Sequence, residues 1–448
     1  MLNFIQTNYL QKLRLFRREA RLYLIVPILI GFTIGGGIYS VLLNLYLLRL
    51  GYEPDFVGTV HAISALCFVL FAIPSGSIGT RLGLRKSSIW GLSIAIIGFA
   101  GVPMAEFVPM DWRDGWILGI TFFGYMGMTL FNVNSMPLMV EISGEEERDH
   151  LFSIQAALWP LCGFVGSLLG GFMPVWIASF MNLTTDSPIP YRYPLLFGAL
   201  ALIPAVIALW RIGDITESAT QARVANRAAN KSTNQSTSHA PNRAFPSFSW
   251  RIAAPIGLML LLPCIGALRV GSEGIMKAFY TVYLDESLMI STGQIGLLMA
   301  FAQLMAVPMP LLAPWLSQRF GREPVMFWGT VGMGMGLIPI ALIPNFGAAS
   351  FGLILAIGST LVSRPVYMVY LQGVVEPEWR PMMSACMSVS YGLSMGLTSF
   401  GGGYLFTLVG FRPLFLIGAG LSIAGGALFW AYVMWVRRGV IQTAYSTT

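Results

Sequence analysis

Charge is what this sequence has least of. Only 10% of its 448 residues are Asp, Glu, Lys or Arg, against about 25% in an ordinary soluble domain. A soluble fold of that length could not cover its surface with so few charges, so lipid must be the solvent for most of the chain. Histidine is scarcer still, at 3 residues, and no nucleophile–base–orienter set can be assembled, so no enzyme is expected. No G-x-x-x-x-G-K-[ST] phosphate loop is present, which argues against ATP hydrolysis. Cys67, Cys162, Cys264 and Cys386 lie singly in apolar stretches without metal-ligand spacing. Neither a disulfide framework nor a metal or other cofactor is expected.

What the chain has instead is hydrophobicity, at 55% of its residues. Each membrane-crossing helix needs about 20 apolar residues, and runs of that kind predict twelve spans. They cover 22–48, 56–79, 87–106, 115–140, 151–180 and 191–211, then 252–283, 293–316, 324–344, 348–372, 383–408 and 412–436. The first run has no small-residue cleavage site at its end and reads as a retained span. Gly213 to Trp250 is rich in Ser, Thr, Asn, Ala and Gln and reads as a flexible linker. The expected organisation is an amphipathic segment over 1–21, six-helix bundles over 22–212 and 251–438, the linker 213–250 between them, and a tail over 439–448. In the first segment Leu13, Phe16 and Ala20 interleave with Lys12, Arg14, Arg17, Arg18 and Arg21. It is either a helix lying on anionic headgroups or a solvated basic tail.

The net charge of +7 has a topological explanation. Among the 27 Lys and Arg, only Arg49, Arg113, Arg192 and Arg412 fall on odd-numbered loops, and Arg269, Lys277 and Arg364 fall inside spans. All the others sit on even-numbered loops, the linker or the termini. That bias places both termini in the cytoplasm of a bacterial-type plasma membrane and leaves no role for nucleic acid. The partners expected are the bilayer, a small-molecule substrate and protons, with the chain acting as a monomer.

The halves repeat each other. Gly58 and Gly83 recur as Gly296 and Gly321, both 238 residues on; Glu146-Glu-Arg148 and Gly170-Gly171 recur as Glu378-Trp-Arg380 and Gly402-Gly403, 232 residues on. Two copied six-span bundles imply a pseudo-twofold axis along the membrane normal and a binding site between them.

The loop after span 2 reads Gly76-Ser-Ile-Gly-Thr80-Arg81-Leu-Gly83-Leu-Arg85-Lys86. It resembles the G-x-x-x-D-[RK]-x-G-[RK]-[RK] loop of the major facilitator superfamily, with Thr80 in place of the usual Asp. The second copy, Arg319-Phe-Gly321-Arg322, also lacks the acid. Span 5 carries Gly166-Ser167-Leu-Leu-Gly170-Gly171, similar to the G-P-x-x-G-G core of that superfamily's proton-coupled drug antiporters, with Ser167 for Pro; the same residues also suit a plain helix interface. The resemblance covers nearly the whole chain. It implies an all-α membrane fold of twelve helices in two pseudo-symmetric bundles, with spans 1, 4, 7 and 10 lining a cavity. It also implies that Arg81, Arg85 and Lys86 latch one half to the other.

Ionisable groups inside spans cost about 2.5–3.5 kcal/mol each and ask for a purpose. Span 7 has three, Arg269, Glu273 and Lys277, spaced four and four on one helical stripe. Glu273 is the candidate proton site, Arg269 its partner, and Gly271 and Gly274 permit local bending. Arg364 in span 10 is a candidate contact for an anionic group. The remaining candidate cavity residues are Tyr39 and Asn44 in span 1, Tyr125, Asn132 and Asn134 in span 4, Gln303 in span 8 and Tyr367 in span 10. His61 in span 2 reads as structural. The first functional expectation is proton-coupled export of a small apolar or amphipathic compound by alternating access. The alternatives are passage of a polar or anionic metabolite, or a transport-inactive sensor or scaffold.

Overall fold

A computed structural model describes residues 17–212, 256–376 and 379–446. The linker and most of the amphipathic N-terminal segment lie outside the described residues. Everything described is helix joined by short turns. Span 1 is built of Arg18–Tyr23, Ile25–Thr33 and Ile38–Arg49. Spans 2 to 5 are Pro54–Leu82, Leu84–Gly101, Met110–Ile142 and Glu145–Met181. Span 6 is Ile189–Leu200 followed by Ile203–Arg211. In the second half, span 7 is Ile256–Val282, extended by a π turn over Tyr283–Ser287, and span 8 is Thr292–Met305 plus Met309–Phe320. Spans 9 to 12 are Arg322–Leu342, Phe346–Val374, Arg380–Val409 and Phe411–Ser446, the last running on into the predicted tail.

Ten of these spans have the length and hydropathy to cross a bilayer, and span 8, bent by 44°, makes an eleventh. Span 11 is long enough at 30 residues. Its Ser, Gly and Met content makes it less apolar, and it packs between spans 2 and 7. Trp112, Trp210 and Trp435 stand exposed near span ends, where amphipathic rings suit the membrane interface.

The repeat is visible in the backbone. Gly83 and Gly321 both adopt φ = +89°, a left-handed conformation natural only to glycine, so the turn after span 2 and the turn after span 8 are one device used twice. The other repeated glycines form two seams between the halves. A Cβ on Gly58 would sit 2.3 Å from the Ser399 carbonyl oxygen, and one on Gly403 2.6 Å from the Asp55 Cα. On the other side, a Cβ on Gly296 would sit 2.4 Å from the Gly171 Cα. Span 2 thus abuts span 11, and span 5 abuts span 8, through near backbone-to-backbone contact.

Span 1 departs from the continuous helix the sequence predicts. It breaks at Gly35-Gly36-Gly37, with Gly36 at φ +108°. A break inside a bilayer must have its freed carbonyls satisfied. Trp159 Nε1 donates to the Gly35 carbonyl at 2.8 Å and the Ser167 hydroxyl to that of Gly36. Ser167, the residue standing where the antiporter motif has Pro, is therefore used to hold this break. Replacing Trp159 with Phe keeps the ring and removes the donor, so thermal unfolding in detergent should show a loss of about 1–3 kcal/mol.

Candidate functional site

Between the halves lies a cavity of about 580 Å³. It is closed at the end that carries Arg49. There, Arg49 of span 1 forms a bidentate ion pair with Asp285 at the end of span 7, at 2.7 and 2.8 Å, while its Nε donates to the Thr185 carbonyl. Tyr191 of span 6 meets the hydroxyl of Thr292 of span 8 at 2.9 Å. One layer deeper, the Asn44 amide donates to the Ala278 carbonyl and to the Thr281 hydroxyl, both at 3.0 Å. Toward the opposite, basic end the cavity continues into a second one of about 320 Å³, sharing Phe68, Arg364 and Tyr391 and reaching Pro263, Met387 and Ser388. Ser388 is only eight residues from the start of span 11, about 12 Å along the helix. This is a conformation closed at one end and accessible from the other.

The wall contains Tyr39, Asn44, Tyr125, Asn132, Glu273, Lys277, Gln303 and Arg364. Asn134 is not there. It is fully buried between spans 4 and 2, where its amide donates to the Ser75 carbonyl at 3.1 Å and to the Leu130 carbonyl at 2.8 Å. It lies two residues from Asn132, about 200° around the helix, and the sequence could not say which of the two faces the cavity. Tyr367 and Arg269 line the smaller cavity instead, with the Tyr367 hydroxyl donating to the Leu262 carbonyl at 2.9 Å.

Glu273 forms an ion pair with Arg269 one turn before it. Both are largely buried, at 15% and 6% side-chain exposure, yet Glu273 reaches the main cavity. The glycines beside it bring helices together. A Cβ on Gly271 or Gly274 would meet the Thr398 side chain of span 11 at 2.9 or 2.5 Å, so their role here is close approach. Lys277 makes no hydrogen bond among the described residues. Arg364 lies over the Tyr391 ring at 5.4 Å, and Arg269 over the Tyr367 ring at 5.9 Å.

His61, read from sequence as structural, joins the wall. Because the Asn44 amide nitrogen is committed to span 7, its oxygen accepts from His61 Nε2 at 2.8 Å. This fixes the Nε2–H tautomer and leaves Nδ1 as an unpartnered acceptor. Trp159, Tyr280, Thr281, Thr360 and Tyr391 also line the cavity. Two of these were within reach of sequence reasoning: Thr281 continues the four-residue stripe through Lys277, and Thr360 lies one turn before Arg364.

In this conformation Thr80, Arg85 and Arg319 make contacts within their own halves. Arg85 donates to the carbonyls of Leu209 and Trp210 and so caps span 6 within its own half. The Thr80 hydroxyl returns to the Ser77 carbonyl at 2.9 Å. Arg81, Lys86 and Arg322 are exposed, and Arg319 covers Trp315 and Phe320. A Cβ on Gly76 would make only an ordinary contact, with Val133 Cγ1 at 3.9 Å. Gly79 is where spans 2 and 4 come close, a Cβ there striking the Asn134 side chain.

A family model described as Major Facilitator Superfamily matches residues 24–268 and again 261–445. The chain is 21% identical over 369 residues to "Multidrug resistance protein MdtH" of Salmonella typhimurium, covering 80% of each chain. Solved structures share the fold. The inward open conformation of the xylose transporter XylE from E. coli matches with a TM-score of 0.68 at 15% identity, over 92% of this chain and 95% of that one. The nucleoside transporter NupG matches at 0.63 and 16%, over 93% and 99%.

Proposed function

Because this chain belongs to the Major Facilitator Superfamily, we propose that it is a proton-coupled exporter of small amphipathic compounds working by alternating access, with Glu273 as the coupling group. The observation that carries the reading is the position of Glu273: ion-paired, largely buried, and still open to the cavity. A carboxylate so placed changes its solvent access when the halves rock. Ionised, it neutralises Arg269. Protonated, it releases Arg269 and alters the charge of the cavity wall. Binding a proton from one side and losing it to the other ties each rocking cycle to the proton gradient.

Export is supported by the relatives named for multidrug resistance and by a wall in which Met128, Met276, Met299, Met333 and Met395 provide adaptable apolar contact. The basic end, which is the accessible one in this conformation, is proposed to face the cytoplasm. A second reading, passage of a polar or anionic metabolite in either direction, draws support from the cations of the wall.

The test is Glu273→Gln in proteoliposomes with an imposed pH gradient. Accumulation driven by the gradient should fall about tenfold, to the level set by the substrate's own gradient, while counterflow without a pH gradient persists. Unchanged gradient-driven accumulation would remove Glu273 from the mechanism.

A further inference from the structure

The charges of the wall do not balance. Arg269 and Glu273 neutralise one another, and Lys277 and Arg364 then remain with no carboxylate pairing either one among the described residues. They are close enough for their charges to interact. Both are exposed, and both line the same cavity. Two unpaired cations facing each other in an apolar bundle are costly. The Glu273 carboxylate one turn away offsets part of the cost at Lys277, but it is already paired with Arg269. Among the described residues Lys277 makes no hydrogen bond, and Arg364 lies over the Tyr391 ring.

We propose that Lys277 and Arg364 form an oxyanion subsite, so that the cargo is a small amphipathic organic anion: an apolar body with a carboxylate, sulfonate or phosphate monoester. This rests on the transport reading above and narrows its substrate class. The guanidinium of Arg364 can present a planar fork to two oxygens, and Lys277 supplies a point charge on the facing helix. The remainder of the molecule lies against Phe68, Trp159, Tyr391 and the methionines, in a volume that suits a drug-sized body. Arg364 borders both cavities, so an anion entering from the basic end meets it first and Lys277 next.

The measurement is equilibrium dialysis of the purified full-length chain in nanodiscs at neutral pH, with no gradient. The probes are 2-naphthoate, 2-naphthalenesulfonate and 2-naphthyl phosphate, with 2-naphthamide and 2-naphthylmethylammonium as neutral and cationic controls. At least one anion should bind saturably, tenfold or more tightly than the amide. Lys277→Gln and Arg364→Gln should each weaken that anion about tenfold and leave the amide within twofold, which also reports that each variant is folded. The inference is overturned if the cation binds as tightly as the anions, if no anion binds, or if neither substitution changes anion affinity. Adding phosphatidylglycerol to the nanodiscs separates a free substrate from a lipid headgroup. Loss of anion binding in those discs would assign the subsite to lipid and overturn the soluble-cargo claim. None of these outcomes depends on Glu273, so a failed proton-coupling test and a failed anion test remain distinguishable.

Discussion

Replacing Asp285 with asparagine is expected to swing the protein toward the state open at its Arg49 end. The Arg49–Asp285 pair joins the two halves where the cavity is sealed, and its side chains are only 18% and 7% exposed. Breaking a pair so little exposed costs about 3 kcal/mol, roughly a 150-fold change in an equilibrium. The cost falls on the closed state, because only there do the partners meet. Arg49 keeps its bond to the Thr185 carbonyl at 2.9 Å within its own half, so the bundle itself should stay folded. The readout is alkylation of a Ser40→Cys probe in the cavity wall by a membrane-impermeant maleimide from the Arg49 side, over the background of the parent chain. Labelling should accelerate at least tenfold, and the exchanged pair Arg49→Asp with Asp285→Arg should restore most of the protection. Glu106→Gln is the contrast. Glu106 pairs with Arg192 at 3.1 Å inside one half, so its loss should lower the unfolding temperature without changing access. Equal labelling in Asp285→Asn and the parent would show that the pair does not hold the closed state.

How much of this was readable beforehand depends on the period of the signal. The spans were legible because each is a long apolar run set off by charge, and the repeat because glycines recur at 238 and 232 residues. The stripe Arg269–Glu273–Lys277 was legible because three charges four apart share one helix face. Rotation of a single neutral side chain was not. Asn132 and Asn134 are two residues apart, point in different directions, and carry the same amide; only packing decides that one faces the cavity and the other the Ser75 carbonyl. The break in span 1 was hidden for a related reason. Gly35-Gly36-Gly37 permits a break without requiring one, and the groups that stabilise it, Trp159 and Ser167, come from span 5 more than 120 residues away. The place of His61 in the cavity wall was hidden for the same reason, because its orientation is set by Asn44 and that of Asn44 by span 7.

The seams make the strongest case that the repeat is mechanical as well as ancestral, and Gly296→Leu tests it. Gly58 lies four residues into span 2 and Gly296 four residues into span 8, so the two seams sit at the same depth, near the closed end. At Gly296 the atoms a new Cβ would strike are the Gly171 Cα at 2.4 Å, the Gly171 nitrogen at 2.8 Å and the Ser167 carbonyl oxygen at 2.8 Å. All three are backbone, so no rotamer change relieves the clash, and the helices themselves must separate. Overpacking of this kind costs about 1–3 kcal/mol, and here the cost is borne by the closed arrangement that presses the halves together. Transport should fall by roughly 5- to 150-fold, with the Ser40→Cys probe becoming reactive from the Arg49 side. Gly401→Leu is the internal control, since nothing lies within 4 Å of a Cβ at that position. It should leave transport and labelling unchanged. If Gly296→Leu transports normally while remaining closed, the two glycine seams are passive packing and the halves turn about some other contact.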